Sequence, residues 1–249
     1  MIVIILLAVF FLFVACYMVY NAYHDNINNI EVNIGLRAPL KVFFISDIHR
    51  RKINQDTIAE IPNNLDLVVI GGDLLEKGVS FNKVRHNLQL LKKFHTPIYF
   101  IWGNNDYEVD SNALEQMFID LDINVLKNKA VNLNHHGSSI SLVGLDCCNE
   151  GLPDYEKALS EATGSYSILL THDPFAFYEL NEEKTKSIDF VLSGHTHGGQ
   201  IRIFGFGPYT RGGLKQHNSV PILVSEGYGY TKFPFRLGTK AECHVITVT

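Results

Sequence analysis

The sequence is short of cysteine and of positive charge, has no low-complexity tract, and opens on a stretch with no charge at all. Each absence removes a class of reading. Four cysteines in 249 residues, Cys16, Cys147, Cys148 and Cys243, make no disulfide framework and are expected as buried or reduced thiols. Lys and Arg number 21 against 26 Asp and Glu, a net charge of −5, which argues against a nucleic-acid partner held by a basic surface. An acidic chain can still handle phosphate when bound cations invert the local field.

Residues 1–20, MIVIILLAVFFLFVACYMVY, lack charged side chains and proline. As a helix they would extend roughly 30 Å, the thickness of a bilayer core. They lack the polar face of a core helix, and they lack the basic n-region and clear small-x-small site of a cleaved signal. FVAC around Cys16 has Phe13 where a lipoprotein site usually has Leu. The expected organisation is a single-pass transmembrane anchor at 1–23, a polar linker at 24–38 and one globular domain at 39–249. Arg37 and Lys41 stand against Asp25 and Glu31 after the anchor, so flanking charge assigns no side of the membrane.

What the rest contains is apolar runs that end abruptly in polar residues: KVFFISDIH, DLVVIGGD, IYFIWGNND, SILLTHDP and DFVLSGHTH. Near-continuous Val, Ile, Leu and Phe predict strands buried on both faces. Helices are expected near 54–61, 81–94, 111–120, 154–162 and 175–183, with Asn54, Ser80, Ser111 and Asp154 as caps. Later strands are expected near 139–144, 201–204, 220–225 and 243–248. Alternating strands and helices imply an α/β fold with helices outside the sheet.

In open α/β sheets, ligands gather beyond the carboxyl ends of strands. Here those ends supply Asp47, His49, Asp73, Asn104, His172, His195 and His197. Any one of these segments alone is an ordinary turn; five together predict a common site. Carboxylate, amide oxygen and imidazole donors suit divalent Mn, Fe or Zn. The donors are too many for one tetrahedral ion and fit two ions sharing a carboxylate, which would clamp an in-line displacement and activate hydroxide near neutral pH.

The ordered set Asp-Ile-His, Gly-Gly-Asp, Gly-Asn-Asn-Asp, Thr-His-Asp-Pro and Gly-His-Thr-His resembles the calcineurin-like metallophosphoesterases over residues 40–249. GHTHGGQI is similar to a bacterial, membrane-associated branch of them. The resemblance implies a four-layer αββα sandwich. It implies that Asp47, His49 and His197 hold one ion, that Asn104, His172 and His195 hold the second, and that Asp73 bridges them.

One position departs from the family motif Gly-Asn-His-Asp/Glu, since Asn105 stands in the His slot. An amide can donate a hydrogen bond but cannot deliver a proton near neutrality, so phosphodiesters or pyrophosphates that need little leaving-group help are the expected substrates. A branch acting on a UDP-linked diacylglucosamine pyrophosphate also departs from His here. A membrane-tethered metal-binding scaffold without turnover is the reading from another class. Asp106 is expected to orient Asn105 or cap the turn. Arg211 and Arg236, in glycine-rich loops, are candidates for binding substrate phosphate. His135 and His136 read as a hairpin turn and Trp102 as core, while the aromatic EGYGYTKFPF could line a pocket or face lipid. The expected partners are a phosphate-ester small molecule or lipid head group, and the membrane.

Overall fold

A computed structural model describes residues 1–147 and 152–249, so Cys148 lies outside the described residues. The chain runs α1 (Ile2–Tyr23), β1 (Asp25–Val32), β2 (Leu40–Ile45), α2 (Gln55–Glu60), β3 (Leu67–Ile70), α3 (Phe81–Leu91), β4 (Ile98–Phe100), α4 (Ser111–Asp120), β5 (Asn124–Val125) and β6 (Lys129–His135). It continues through β7 (Ser138–Gly144), α5 (Tyr155–Ser160), β8 (Tyr166–Leu170), α6 (Phe175–Tyr178), α7 (Glu182–Thr185), β9 (Phe190–Ser193), β10 (Gly213–His217), β11 (Val220–Val224) and β12 (Ala241–Val248). Two six-stranded sheets result, in the orders β1-β12-β2-β3-β4-β5 and β10-β11-β9-β8-β7-β6.

Strand parity explains the layering. Leu40, Val42 and Phe44 of β2 and Leu67 and Val69 of β3 meet Ile140, Leu142, Ile168, Leu170, Phe190 and Leu192 between the sheets. The alternate residues Phe43, Ile45, Val68 and Ile70 face the other way, onto Leu88 and Leu91 of α3 and Leu114 and Phe118 of α4. On the second sheet Val143, Leu169 and Val191 pack outward on Ala158 of α5 and Phe177 of α6. Strands covered on both faces need apolar residues at every position, and the sandwich is the expected αββα.

The caps follow local chemistry. Asn54, Ser80 and Asp154 accept from the backbone N–H groups of Asp56, Lys83 and Lys157. At α4 the cap is Asp110, accepting from Ala113 N–H, with Ser111 already helical. The stretch 175–183 divides into two short helices because Asn181 caps a new start, accepting from Lys184 N–H. The stretch 201–204 forms only isolated bridges, Ile201 to Leu237 and Ile203 to Phe206.

Residues 24–38 are not a free linker. Asp25–Val32 is β1, paired in parallel with Ala241–Val248. This edge strand uses asparagines where a central strand uses apolar side chains: Asn26 Nδ2 donates to the Ala241 carbonyl at 2.9 Å and Asn28 Nδ2 to Glu242 Oε2 at 2.8 Å. The domain therefore begins at the end of α1.

Candidate metal centre

Strands β2, β3 and β4 run parallel, as do β8 and β9, so the loops leaving their carboxyl ends meet at one edge of the sandwich. Beyond the strands the loops bond to one another: Asp47 N–H donates to the Gly72 carbonyl at 3.0 Å and His49 N–H to the Asp73 carbonyl at 3.1 Å. Five of the expected ligands adopt the left-handed backbone: Asp47 (φ 54), His49 (48), Asp73 (51), His195 (70) and His197 (50). Each such non-glycine residue costs on the order of 1–3 kcal/mol, and that cost concentrates at functional sites. Gly103 is required by contact, since a Cβ there would lie 2.3 Å from Asp73 Oδ1.

The side chains form two groups, Asp47–His49–His197 and Asp73–His172–His195, each with ligand atoms within 4.8 Å of one another. They adjoin, with His49 Nε2 3.6 Å from Asp73 Oδ2. Imidazole nitrogens face each other directly, His49 Nε2 at 3.1 Å from His197 Nε2 and His195 Nδ1 at 3.2 Å from His172 Nε2. Asn104 Oδ1 is buried without a hydrogen-bond partner. A buried acceptor left unpaired beside converging carboxylates and imidazoles suits divalent cations, so the residues present fit them.

Supporting groups aim the ligands. His172 Nδ1 sits 2.8 Å from the Gly71 carbonyl, which directs Nε2 towards Asp73. His49 Nδ1 lies 3.1 Å from Glu76 Oε2, and Glu76 also pairs with Arg50. His195 N–H donates to both oxygens of Asp47, at 3.1 and 3.2 Å.

Electrostatics follow from this crowding. Burial opposes ionisation of Asp73, yet His172, His49 and the Asn105 N–H outweigh it and hold the carboxyl well below its usual range. Burial likewise opposes charge on His172, but the Asp73 carboxylate beside it pushes the imidazole up to about 10. For His197, burial, then His49 and Arg236, lower the imidazole well below its ordinary value. A cation bound beside Asp73 would therefore displace a proton from His172, whereas His197 is held neutral.

Arg236 loses its expected role, and of its two expected roles Asp106 takes the turn cap. Asp106 is fully buried and accepts from the backbone N–H groups of Asp73 (2.8 Å), Gly103 (2.8 Å) and Leu75 (3.2 Å). It ties two ligand loops together instead of orienting the Asn105 side chain. Burial, then Asp73, raise its carboxyl to about 7. Arg236 is 0% exposed, so it reaches no substrate. Its guanidinium donates to the carbonyls of Glu226 (2.6 Å), Gly229 (2.7 Å) and Lys240 (2.8 Å) and lies 3.1 Å from His197 Nδ1. Arg211 pairs with Glu226 and keeps its side chain 55% exposed.

A cleft of about 270 Å³ opens over the site, lined by Asp73, Asn104, Asn105 and His195 together with Gln200 and Tyr209. Gln200 Oε1 accepts from Thr231 N–H at 2.9 Å, joining the His-rich turn to the aromatic loop. Glu76, Asp173, Gln200 and Tyr209 were not legible as site residues. Asp173, 3.9 Å from His195 Nε2, and Gln200 do fall inside the motifs Thr-His-Asp-Pro and GHTHGGQ, a signal that could have found them.

The profile of the calcineurin-like phosphoesterases matches residues 40–199. YpbG of Bacillus subtilis is 42% identical over 214 residues, covering 85% of this chain and 82% of its own length. The Bacillus subtilis metallophosphoesterase YkoQ is 28% identical, covering 87% of each. A bovine transmembrane protein with a metallophosphoesterase domain is 29% identical, over 87% of this chain and 55% of its own. Among solved structures, the 5'-nucleotidase precursor of Thermus thermophilus superposes with a TM-score of 0.53 at 13% identity, over 84% of this chain and 55% of that one. The chain spans about half of that structure, and the likeness is one of fold.

Proposed function

This chain belongs to the calcineurin-like phosphoesterase family and is a hydrolase of it, and from that premise we propose that it cleaves phosphodiester or pyrophosphate bonds at a two-cation centre while anchored in a membrane by α1. The observation that carries this reading is the convergence of the two ligand groups, 3.6 Å apart at His49 Nε2 and Asp73 Oδ2. Asp47, His49 and His197 would hold one cation, Asn104, His172 and His195 the other, with Asp73 between them. When bound, the cations supply positive charge that draws in phosphoryl oxygens and makes water acidic enough to attack near neutral pH.

The chain's own residues do the positioning. Gly71 and Glu76 orient His172 and His49, and Asp106 locks the loops carrying Asp73 and Asn104. Asn105 lines the cleft with a neutral amide that can donate to a phosphoryl or leaving-group oxygen. Without a proton from this position, the roughly 10²–10⁴-fold that general acids contribute is forgone, which favours leaving groups that depart as stable anions. Support for the anchor is α1 itself, 22 residues long and without a charged side chain.

The test uses the full chain in detergent with Mn²⁺, assayed on bis(p-nitrophenyl) phosphate, a nucleotide pyrophosphate and an alkyl monoester. Metal-dependent cleavage of the first two, abolished in Asp73→Asn, is expected. Mn²⁺ binding with no turnover on any of them would instead mark the tethered scaffold that Asn105 suggests.

A further inference from the structure

We infer that the hairpin at residues 201–209, together with Phe233, is a second membrane contact that enters the leaflet holding the end of α1, so that the cleft receives phosphates carried by lipid-embedded amphiphiles. This rests on the anchored-hydrolase reading and specifies its substrate class.

The end of α1 is fixed to the domain. Val14, Ala15, Met18, Val19, Asn21 and Ala22 form one helical stripe that is buried or half-buried, while the remaining face is exposed. Arg236 N–H donates to the Met18 carbonyl at 3.0 Å, Tyr23 and Tyr230 share a hydroxyl hydrogen bond of 2.9 Å, and Arg51 Nη2 donates to the Tyr23 carbonyl at 3.3 Å. Met18 lies five residues before the last residue of α1, hence about 7 Å up the helix axis. Tyr17, Tyr20 and Tyr23 remain exposed at this level, where interfacial aromatics settle. The segment beside Met18 is therefore carried to the boundary of head groups and acyl chains.

That segment continues into the hairpin. Arg202 N–H donates to the Leu237 carbonyl at 2.7 Å and Leu237 N–H to the Gln200 carbonyl at 3.1 Å. Ile203 and Phe206 then exchange two backbone hydrogen bonds of 2.9 Å around a turn with φ 50 at Phe204 and 85 at Gly205. The Arg202 guanidinium bonds the carbonyls of Gly198, Gly205 and Tyr209 from inside the loop. The tip thus satisfies much of its backbone internally, which an apolar medium demands. Its side chains, and Phe233 beside it, are mostly exposed: Phe204 is 96% exposed, Phe206 82%, Phe233 66% and Ile203 58%. A patch of this kind, tied through Leu237 and Arg236 to the aromatic end of an apolar helix, fits a lipid surface. Gln200 and Tyr209, at the two ends of the hairpin, also line the cleft. A phosphate bound there has the leaflet beside it.

The test uses the full chain reconstituted in phosphatidylcholine–phosphatidylglycerol vesicles. In a Trp102→Phe background, one tryptophan is placed at Phe204→Trp or, as a control, at Ile119→Trp on α4 beside the opposite edge of the sheet. Emission from position 204 is expected to be blue-shifted and quenched about twofold by lipids brominated in the upper acyl chain, with position 119 unaffected. Separately, Phe204→Asp with Phe206→Asp and Phe233→Asp is expected to slow cleavage of vesicle-borne hexadecyl p-nitrophenyl phosphate about tenfold and to leave bis(p-nitrophenyl) phosphate within about twofold. Water-like, unquenched emission at position 204 overturns the inference, as does equal loss on both substrates. A blue shift without lipid quenching, accompanied by cross-linked dimers, overturns it in favour of a second copy of the chain. If the unsubstituted enzyme cleaves neither substrate, the hydrolase reading fails, while the quenching result still decides whether the hairpin enters the bilayer.

Discussion

Asn105 grips Asp73 twice, its side-chain Nδ2 donating to Oδ2 at 2.7 Å and its backbone N–H to Oδ1 at 2.8 Å. The cleft-lining Asn105 thus also fixes the carboxylate lying between the two ligand groups. An imidazole at this position could deliver a proton to a poor leaving group, which the amide cannot. Asn105→His is expected to raise the rate on an alkyl monoester by at least about tenfold relative to bis(p-nitrophenyl) phosphate. Paired kcat/KM measurements check this, and equal gains on both substrates would remove leaving-group protonation from the account.

Asp73 contacts both ligand groups, at 3.6 Å from His49 Nε2 and 3.3 Å from His172 Nε2. Neutralising it in Asp73→Asn takes away the carboxylate that the proposed two-cation centre would share while preserving shape. Bound Mn²⁺ is expected to fall from two equivalents to one or none, and kcat to drop by at least about 10³. Metal content after gel filtration, read beside the rate, separates this from misfolding.

The strands that carry these residues were legible because β2, β3, β4, β8 and β9 are covered on both faces and must be apolar at nearly every position, so that Asp47, Asp73 or His172 stands out at once. Edges were harder to read. In β1, Asn26 and Asn28 bond across to β12 and leave no hydrophobic run. The positive φ at Asp47, His49 and His197 has only a weak signature, because Asp and His enter the left-handed region more readily than most residues but do so in ordinary turns too. Arg236 looked like a phosphate ligand because charge in a glycine-rich loop suggests exposure. Only the fold shows its guanidinium enclosed by carbonyls.

Arg236 carries the next prediction. It is fully buried, joins the loops at 226–229 and 240, and backs His197. Arg236→Met leaves those carbonyls unpaired and the imbalance is buried, so stability is expected to fall by about 3–5 kcal/mol. Arg236→Lys, keeping the charge without the fork, is expected to fold and to bind Mn²⁺ roughly 10–100-fold more weakly through a loosened His197. Thermal melts and Mn²⁺ titrations check the two variants, and unchanged metal affinity in Arg236→Lys would confine Arg236 to a purely structural role.

Glu242 holds the same loops from the other side. Its carboxylate accepts from Asn28 Nδ2 at 2.8 Å and from the Glu226 N–H at 2.7 Å, with His244 Nε2 3.4 Å away, so it links edge strand β1 to the loop that Arg236 gathers. Burial favours its neutral form, but His244, the Glu226 N–H and Asn28 prevail and the carboxyl titrates below its ordinary value of 4.5. A depressed folded pKa stabilises the fold fully above that ordinary value and loses the contribution as pH falls through the folded one. Glu242→Gln keeps the shape and loses the charge, so it is expected to cost about 1–2 kcal/mol at pH 7. The gap from the unsubstituted protein should then close as pH falls below the ordinary carboxyl value and through the depressed folded one. Urea denaturation at a series of pH values reads both arms; a gap that persists undiminished into acid would show that Glu242 acts through packing and not through its charge.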